Sequence, residues 1–126
     1  MPGPTAYLSC KNASAALDFY CRAFGAEVTE RYVDTDGRIG HAELRFAAGA
    51  LFLADEYPEV GFVSPTTLGG VPFHLALEVA DVDLAFRRAC AAGATSVKPP
   101  TDEQHGGRRC KLRDPCGVGG RLSVAS

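Results

Sequence analysis

The sequence predicts an α+β fold: two tandem βαβββ modules forming a curved mixed sheet around a cleft, with helices on the outer face. Three observations predict it. The order strand, helix, strand, strand, strand can be read twice along the chain. The helix ends match, Phe24-Gly25-Ala26 in the first half answering Ala92-Gly93-Ala94 in the second. A stretch with Pro58, Gly61, Pro65, Gly69 and Gly70 and no steady period separates the halves. A βαβββ unit of this size cannot cover both faces of its own sheet, so two units side by side are expected to give one curved sheet with helices on its outer face and a concave inner face. The 126 residues then form one domain, with module one at about 4–55, a linker at 56–71 and module two at 72–126.

Module one begins with a strand over 5–10, in which Ala6, Leu8 and Cys10 share one face and Thr5, Tyr7 and Ser9 the other. Asn12 or Ser14 offers an N-cap. Ala13, Ala16, Leu17, Tyr20, Ala23 and Phe24 follow at helical spacing, and Gly25 ends the helix as a C′ glycine. Strands are expected at 27–33, 38–46 and 49–54, with Asp34-Thr35-Asp36-Gly37 as the first turn. In the middle strand Gly40, Ala42, Leu44 and Phe46 are small or apolar, while Ile39, His41, Glu43 and Arg45 form the other face.

Module two repeats this. Phe73, Leu75, Leu77 and Val79 alternate with His74, Ala76 and Glu78, which is strand periodicity. Asp81 is the expected N-cap of a helix whose stripe is Val82, Ala85, Phe86, Ala89 and Cys90. A short strand at 95–97 stops before Pro99-Pro100. Further strands are expected at 108–113 and 120–125, joined by the turn Asp114-Pro115-Cys116-Gly117.

Composition narrows the function. Apolar content of 46% and charged content of 22% are ordinary for a globular chain. A net charge of −2 argues against nucleic acid or an anionic membrane as partner. No apolar run is long enough to span a bilayer. Met1-Pro2-Gly3-Pro4 lacks the pattern of a secretory leader, so a cytoplasmic location is the default expectation. The five cysteines are odd in number and contain no C-x-x-C, which argues against a disulfide framework or a zinc knuckle and for buried thiols. Cys110, between Arg109 and Lys111, is where a thiolate would be favoured.

If the apolar face of each strand packs under the helices, the other face lines the cleft. The candidate ligand-binding residues are then Tyr7, His41, Glu43, Phe52, His74, Arg109, Lys111 and Arg121.

Four segments together resemble a known family. They are Leu17-Asp18-Phe19-Tyr20 through Phe24-Gly25-Ala26; Asp36-Gly37-Arg38-Ile39-Gly40-His41-Ala42-Glu43-Leu44; Leu53-Ala54-Asp55-Glu56 with Ser64-Pro65 and Leu68-Gly69-Gly70; and Glu78-Val79-Ala80-Asp81-Val82 through Ala92-Gly93-Ala94 to Leu112-Arg113-Asp114-Pro115. Their order and spacing resemble the vicinal oxygen chelate (glyoxalase/bleomycin resistance/dioxygenase) superfamily, on its PhnB-like branch. The resemblance implies paired modules, a cleft between them and a homodimer that completes it.

In the metal-dependent enzymes of that superfamily, His, Glu or Gln from the first and last strands of both modules hold a divalent ion. Here those places fall at Thr5 or Tyr7, at Phe52, at His74, and at Arg121 or Ser123. One match in four does not support a metal, so none is expected, and no other cofactor. His41 and Glu43 are the substitutes an adjacent strand would offer. Aromatic residues usual in the family after Asp-Pro and in the last strand are replaced by Cys116, Gly119 and Gly120, which removes bulk expected on the cleft wall.

Two functions follow from these residues. In the first the chain is a metal-independent binding protein that sequesters an antibiotic or metabolite between Tyr7, Phe52 and the arginines. In the second it is a lyase, isomerase or dioxygenase of the glyoxalase type, with His74 and Glu43 as a reduced metal pair or His74 as a general base.

Overall fold

The computed structural model describes residues 3–104 and 106–124. Module one contains β1 (Tyr7–Cys10), α1 (Ala13–Phe24), β2 (Glu27–Val33), β3 (Ile39–Arg45) and β4 (Ala50–Asp55). A 3₁₀ turn (Pro58–Val60) and α2 (Pro65–Leu68) occupy the connection. Module two contains β5 (His74–Val79), α3 (Val82–Ala91), β6 (Thr95–Asp102), β7 (Arg108–Arg113) and β8 (Gly119–Val124). Both expected βαβββ modules are therefore present; residue 125, expected in the last strand, lies outside the described residues.

The capping chemistry is where the sequence puts it. Asn12 Oδ1 accepts from the Ala15 N–H at 3.0 Å and starts α1. Gly25, at φ 69°, closes it in the left-handed region that a side chain would resist. Asp81 Oδ1 does the same for α3, accepting from the Leu84 N–H at 3.1 Å. In the linker Ser64 caps α2 and Pro65 supplies its fixed φ, a helix start that the lack of periodicity concealed.

Strand β6 is longer than the expected 95–97 and runs through Pro99 and Pro100. It lies at a sheet edge, and its register with β7 shifts between Lys98 and Thr101. An edge strand needs N–H groups on only one side, so a bulge there tolerates proline.

The backbone hydrogen bonds divide the strands into two four-stranded sheets, ordered β1-β4-β3-β2 and β5-β8-β7-β6. In each, the first and last strands of the module pair in parallel, Tyr7 beside Phe52 and His74 beside Gly119. The single curved sheet expected is thus two sheets, one per module.

Helix α1 covers one face of the first sheet and α3 one face of the second, and the two helices pack on each other. They lie in the joint between the modules rather than on an outer surface. Leu8, Leu44, Leu53, Phe19 and Leu122 are buried within one continuous core there. Full burial of a side chain such as Phe19 contributes about 1.5–3 kcal/mol.

Two further links cross the joint. Cys10 at the end of β1 and Cys116 in the β7–β8 turn form a disulfide, with 5.2 Å between their Cα atoms. This corrects the expectation of free thiols throughout: the partners lie 106 residues apart, and spacing carries no trace of such a pair. Cys21, Cys90 and Cys110 are free. Burial pushes the Cys110 thiol up, so its flanking charges do not make it a thiolate. The second link is a hydrogen bond from the Tyr20 hydroxyl to Asp114.

Candidate functional site

With the helices in the joint, the other face of each sheet is open. On module one a row runs straight across the strands. Tyr7 stands beside Phe52, Phe52 beside Glu43, and Glu43 beside Glu30. His41, two residues from Glu43 on β3, shares their face because side chains alternate along a strand.

The row forms a hydrogen-bonded chain. His41 Nε2 lies 2.8 Å from Glu43 Oε2, and His41 Nδ1 lies 2.6 Å from the Tyr7 hydroxyl. A carboxylate only accepts, so Nε2 carries the proton facing Glu43. With Nε2 as the donor to Glu43, Nδ1 is the acceptor for the Tyr7 O–H. Burial, and next the charge of Glu43, hold the Tyr7 phenol above its usual value, which keeps that proton in place. The Gly40 carbonyl, 3.5 Å from the same hydroxyl, is a second and longer acceptor.

Aromatic rings wall this chain. Phe52 meets Tyr7 edge to face at 5.9 Å and His41 at 5.2 Å. Phe62 closes the other side of Tyr7 at 5.6 Å and 90°. Phe62 was not among the expected site residues. A bridge fixes it: the Tyr57 N–H donates to the Phe62 carbonyl at 2.7 Å, and the Phe62 N–H to Tyr57 at 3.1 Å. The signal for it was the pair of aromatics flanking Pro58 and Gly61, residue types that make a tight turn.

Tyr7, His41, Glu43 and Phe52 are thus brought together as expected. His74, Arg109, Lys111 and Arg121 are not among them; they belong to the open face of module two. There Lys111 pairs with Arg121, and Arg109 with Ser123. Arg109 Nε lies 3.7 Å from Glu103. His74 packs against Gly119, where a Cβ would stand only 3.0 Å from the imidazole Cδ2. That glycine makes room for the ring. His74 and Glu43 lie on different sheets, so one chain does not form the His74–Glu43 pair.

The superfamily's four ligand places do not fit a divalent ion. Phe52 has no donor atom, and Arg121 puts a cation beside Lys111. Glu30, His41 and Glu43 have a usable donor set, with ligand atoms within 4.8 Å of one another. They are displaced from the superfamily places onto β2 and β3.

The two glycines of the last strand have separate consequences. Gly119 shares the open face with His74. Gly120 pairs with Leu75 and Leu112, whose side chains face the helices, so the bulk lost at 120 is lost from the joint. This corrects the expectation that both glycines widen the outer cleft.

Fold and face together define a paired-βαβββ protein with an aromatic, hydrogen-bonding open sheet. Residues 4–119 match the family model described as "Glyoxalase/Bleomycin resistance protein/Dioxygenase superfamily", and the chain belongs to that superfamily. It is 38% identical over 119 residues to an uncharacterized protein of Mycobacterium bovis, covering 92% of this chain and 78% of that one. Among solved structures it is similar to TioX from Micromonospora sp. ML1, with a TM-score of 0.73, 28% identity, and 97% and 98% of the two chains covered. The PhnB protein of Bacillus cereus shares the fold, with a TM-score of 0.75 at 17% identity and coverage of 98% and 100%.

Proposed function

We propose that this chain is a small-molecule-binding protein of the bleomycin-resistance kind, which sequesters an antibiotic or metabolite against the open face of module one. The observation that carries the reading is the Glu43–His41–Tyr7 hydrogen-bonded chain set between Phe52 and Phe62. Polar groups ordered by one another and framed by aromatic edges suit a flat ligand with a few hydrogen-bonding atoms. Binding by this route needs no metal at the superfamily's ligand places, which hold Thr5, Phe52, His74 and Arg121. The proposal includes the PhnB-like branch and a cytoplasmic location. The buried Cys10–Cys116 bridge weighs against that location, because disulfides are rare in reducing compartments.

The proposal also includes a homodimer. Within one chain the basic face of Arg109, Lys111 and Arg121 belongs to the other module. A second copy that lays its module two over module one would close the cleft and bring cations to an anionic or carbonyl-rich ligand. The test is a thermal-shift screen of antibiotics and aldehyde–thiol adducts, with sedimentation of the purified protein. The reading expects a dimer that is stabilised by members of the panel. A monomer unaffected by every compound contradicts it.

A second reading, a lyase, isomerase or dioxygenase, is favoured by one observation: the Glu30, His41 and Glu43 donor atoms within 4.8 Å. There His41, rather than His74, would be the base or ligand. Calorimetric titration with Zn, Ni, Mn and Fe(II) separates the readings. Stoichiometric binding abolished by His41→Ala supports the enzyme; no binding supports metal-free sequestration.

A further inference from the structure

A cavity of about 170 Å³ lies in the joint between the modules, on the helix side of both sheets. Phe19, Tyr20 and Phe24 of α1 and Phe46 after β3 form one wall, and Leu77 and Leu122 part of the other. Gly120, one of the lining residues, puts no side chain into the space. A Cβ on Gly120 would meet Leu112 Cδ1 at 3.5 Å and the Leu75 carbonyl oxygen at 3.7 Å, ordinary contacts.

The cavity is apolar in effect as well as in composition. Its two polar side chains, Tyr20 and Asp114, are committed to each other. The second oxygen of Asp114 accepts from the N–H groups of Cys116 and Val118 at 2.9 and 2.8 Å. A ligand therefore gains packing there but no hydrogen bond from these groups, which selects for an uncharged one. The aromatic wall meets itself edge to face, Phe19–Tyr20 at 5.0 Å and Tyr20–Phe46 at 6.1 Å, and presents edges and faces to a further ring. An enclosed apolar cavity of about 150 Å³ in another protein binds benzene; this one has a similar volume but is open on one side. A groove running out past Phe24, Phe46 and Leu77 to Arg88 at the surface gives a way in.

We propose that this joint is a binding site for a single uncharged apolar ring, separate from the open-face site. The ligand's ring takes the volume that a side chain at position 120 would fill. The backbone at Gly120 is not in the left-handed region, so a side chain there is compatible with β8.

The test uses the full chain and toluene as probe, read by thermal shift and calorimetry. Toluene is expected to raise the Tm of the native protein. Gly120→Leu is expected to raise the Tm without ligand, because it fills a void, and to lose the toluene response. Should that variant not fold, Leu77→Phe fills the same space from β5, the neighbouring strand of the same sheet. His41→Ala is expected to keep the toluene response in full, which separates this site from the open face. The proposal is overturned by any of three results: no response of the native protein at saturating toluene, an unchanged response in the filled variant, or a response that consists of a dimer dissociating.

Discussion

The Tyr20 hydroxyl, on α1 of module one, donates a hydrogen bond to Asp114 Oδ2 in the β7–β8 turn of module two. Asp114 Oδ1 accepts from two backbone N–H groups, so the carboxylate is fully engaged although buried. Burial holds its carboxyl above the usual range, and the hydrogen bonds from Tyr20 and the turn pull the other way. A folded-state value above the unfolded one favours the fold when Asp114 is protonated. That contribution is present below the unfolded value and is lost as pH rises through the folded one.

Tyr20→Phe removes one of the bonds that support the charged form. It is expected to cost about 1–3 kcal/mol at neutral pH, as for a buried acceptor losing its donor. The cost should shrink at acid pH, where Asp114 is protonated. Urea denaturation at pH 7 and near pH 3.5 checks both; an equal loss at the two values would break the link to Asp114.

Cys10 and Cys116 tie the same two modules across 106 residues. Closing a loop of that length constrains the unfolded chain, and the double variant Cys10→Ala/Cys116→Ala should lose about 2–5 kcal/mol. Dithiothreitol should lower the Tm of the native protein towards that of the variant and leave the variant where it is.

Glu56 staples the linker. Its carboxylate accepts from the Ser64 N–H at 2.7 Å and from the Thr67 hydroxyl. Those bonds, the Thr67 one foremost, hold its carboxyl down at about 2. A lowered folded-state value contributes stability above the unfolded value, about 4.3, and loses it as pH falls towards about 2. Glu56→Gln should therefore flatten the acid limb of the stability curve between those values. Thermal denaturation across the range would show no difference from the native protein if the bonds were inert.

Tyr7→Phe keeps the ring against Phe52 and Phe62 and deletes the hydroxyl that donates to His41. Its Tm should stay close to native, because the group lies on an open face. Ligand affinity should fall by about five- to tenfold, the worth of one hydrogen bond. Calorimetry alongside thermal denaturation separates the two effects.

Much of this was legible in the letters. Alternation assigned Tyr7, His41, Glu43 and Phe52 to one face, because a strand's period of two leaves little choice once Leu8, Leu44 and Leu53 are taken as core. The same rule put His74, Lys111 and Arg121 on an open face. Alternation fixes a side chain to a side of its own strand, however, and says nothing of how two sheets turn relative to each other. That is why eight residues expected in one cleft fall on two faces. Phe62 escaped because a turn, not a period, orients it. The Cys10–Cys116 bridge and the void beside Gly120 depend on tertiary approach, which no local pattern encodes.

The central claim is that the Tyr7–His41–Glu43 chain on module one binds the ligand. The most direct measurement is a calorimetric titration of the compound that most stabilises the protein in the screen, into native protein and His41→Ala side by side. The account predicts that the native protein binds it and that the variant, folded with a near-native Tm, loses at least tenfold in affinity. Equal affinity in the two would contradict it and put the ligand elsewhere on the molecule.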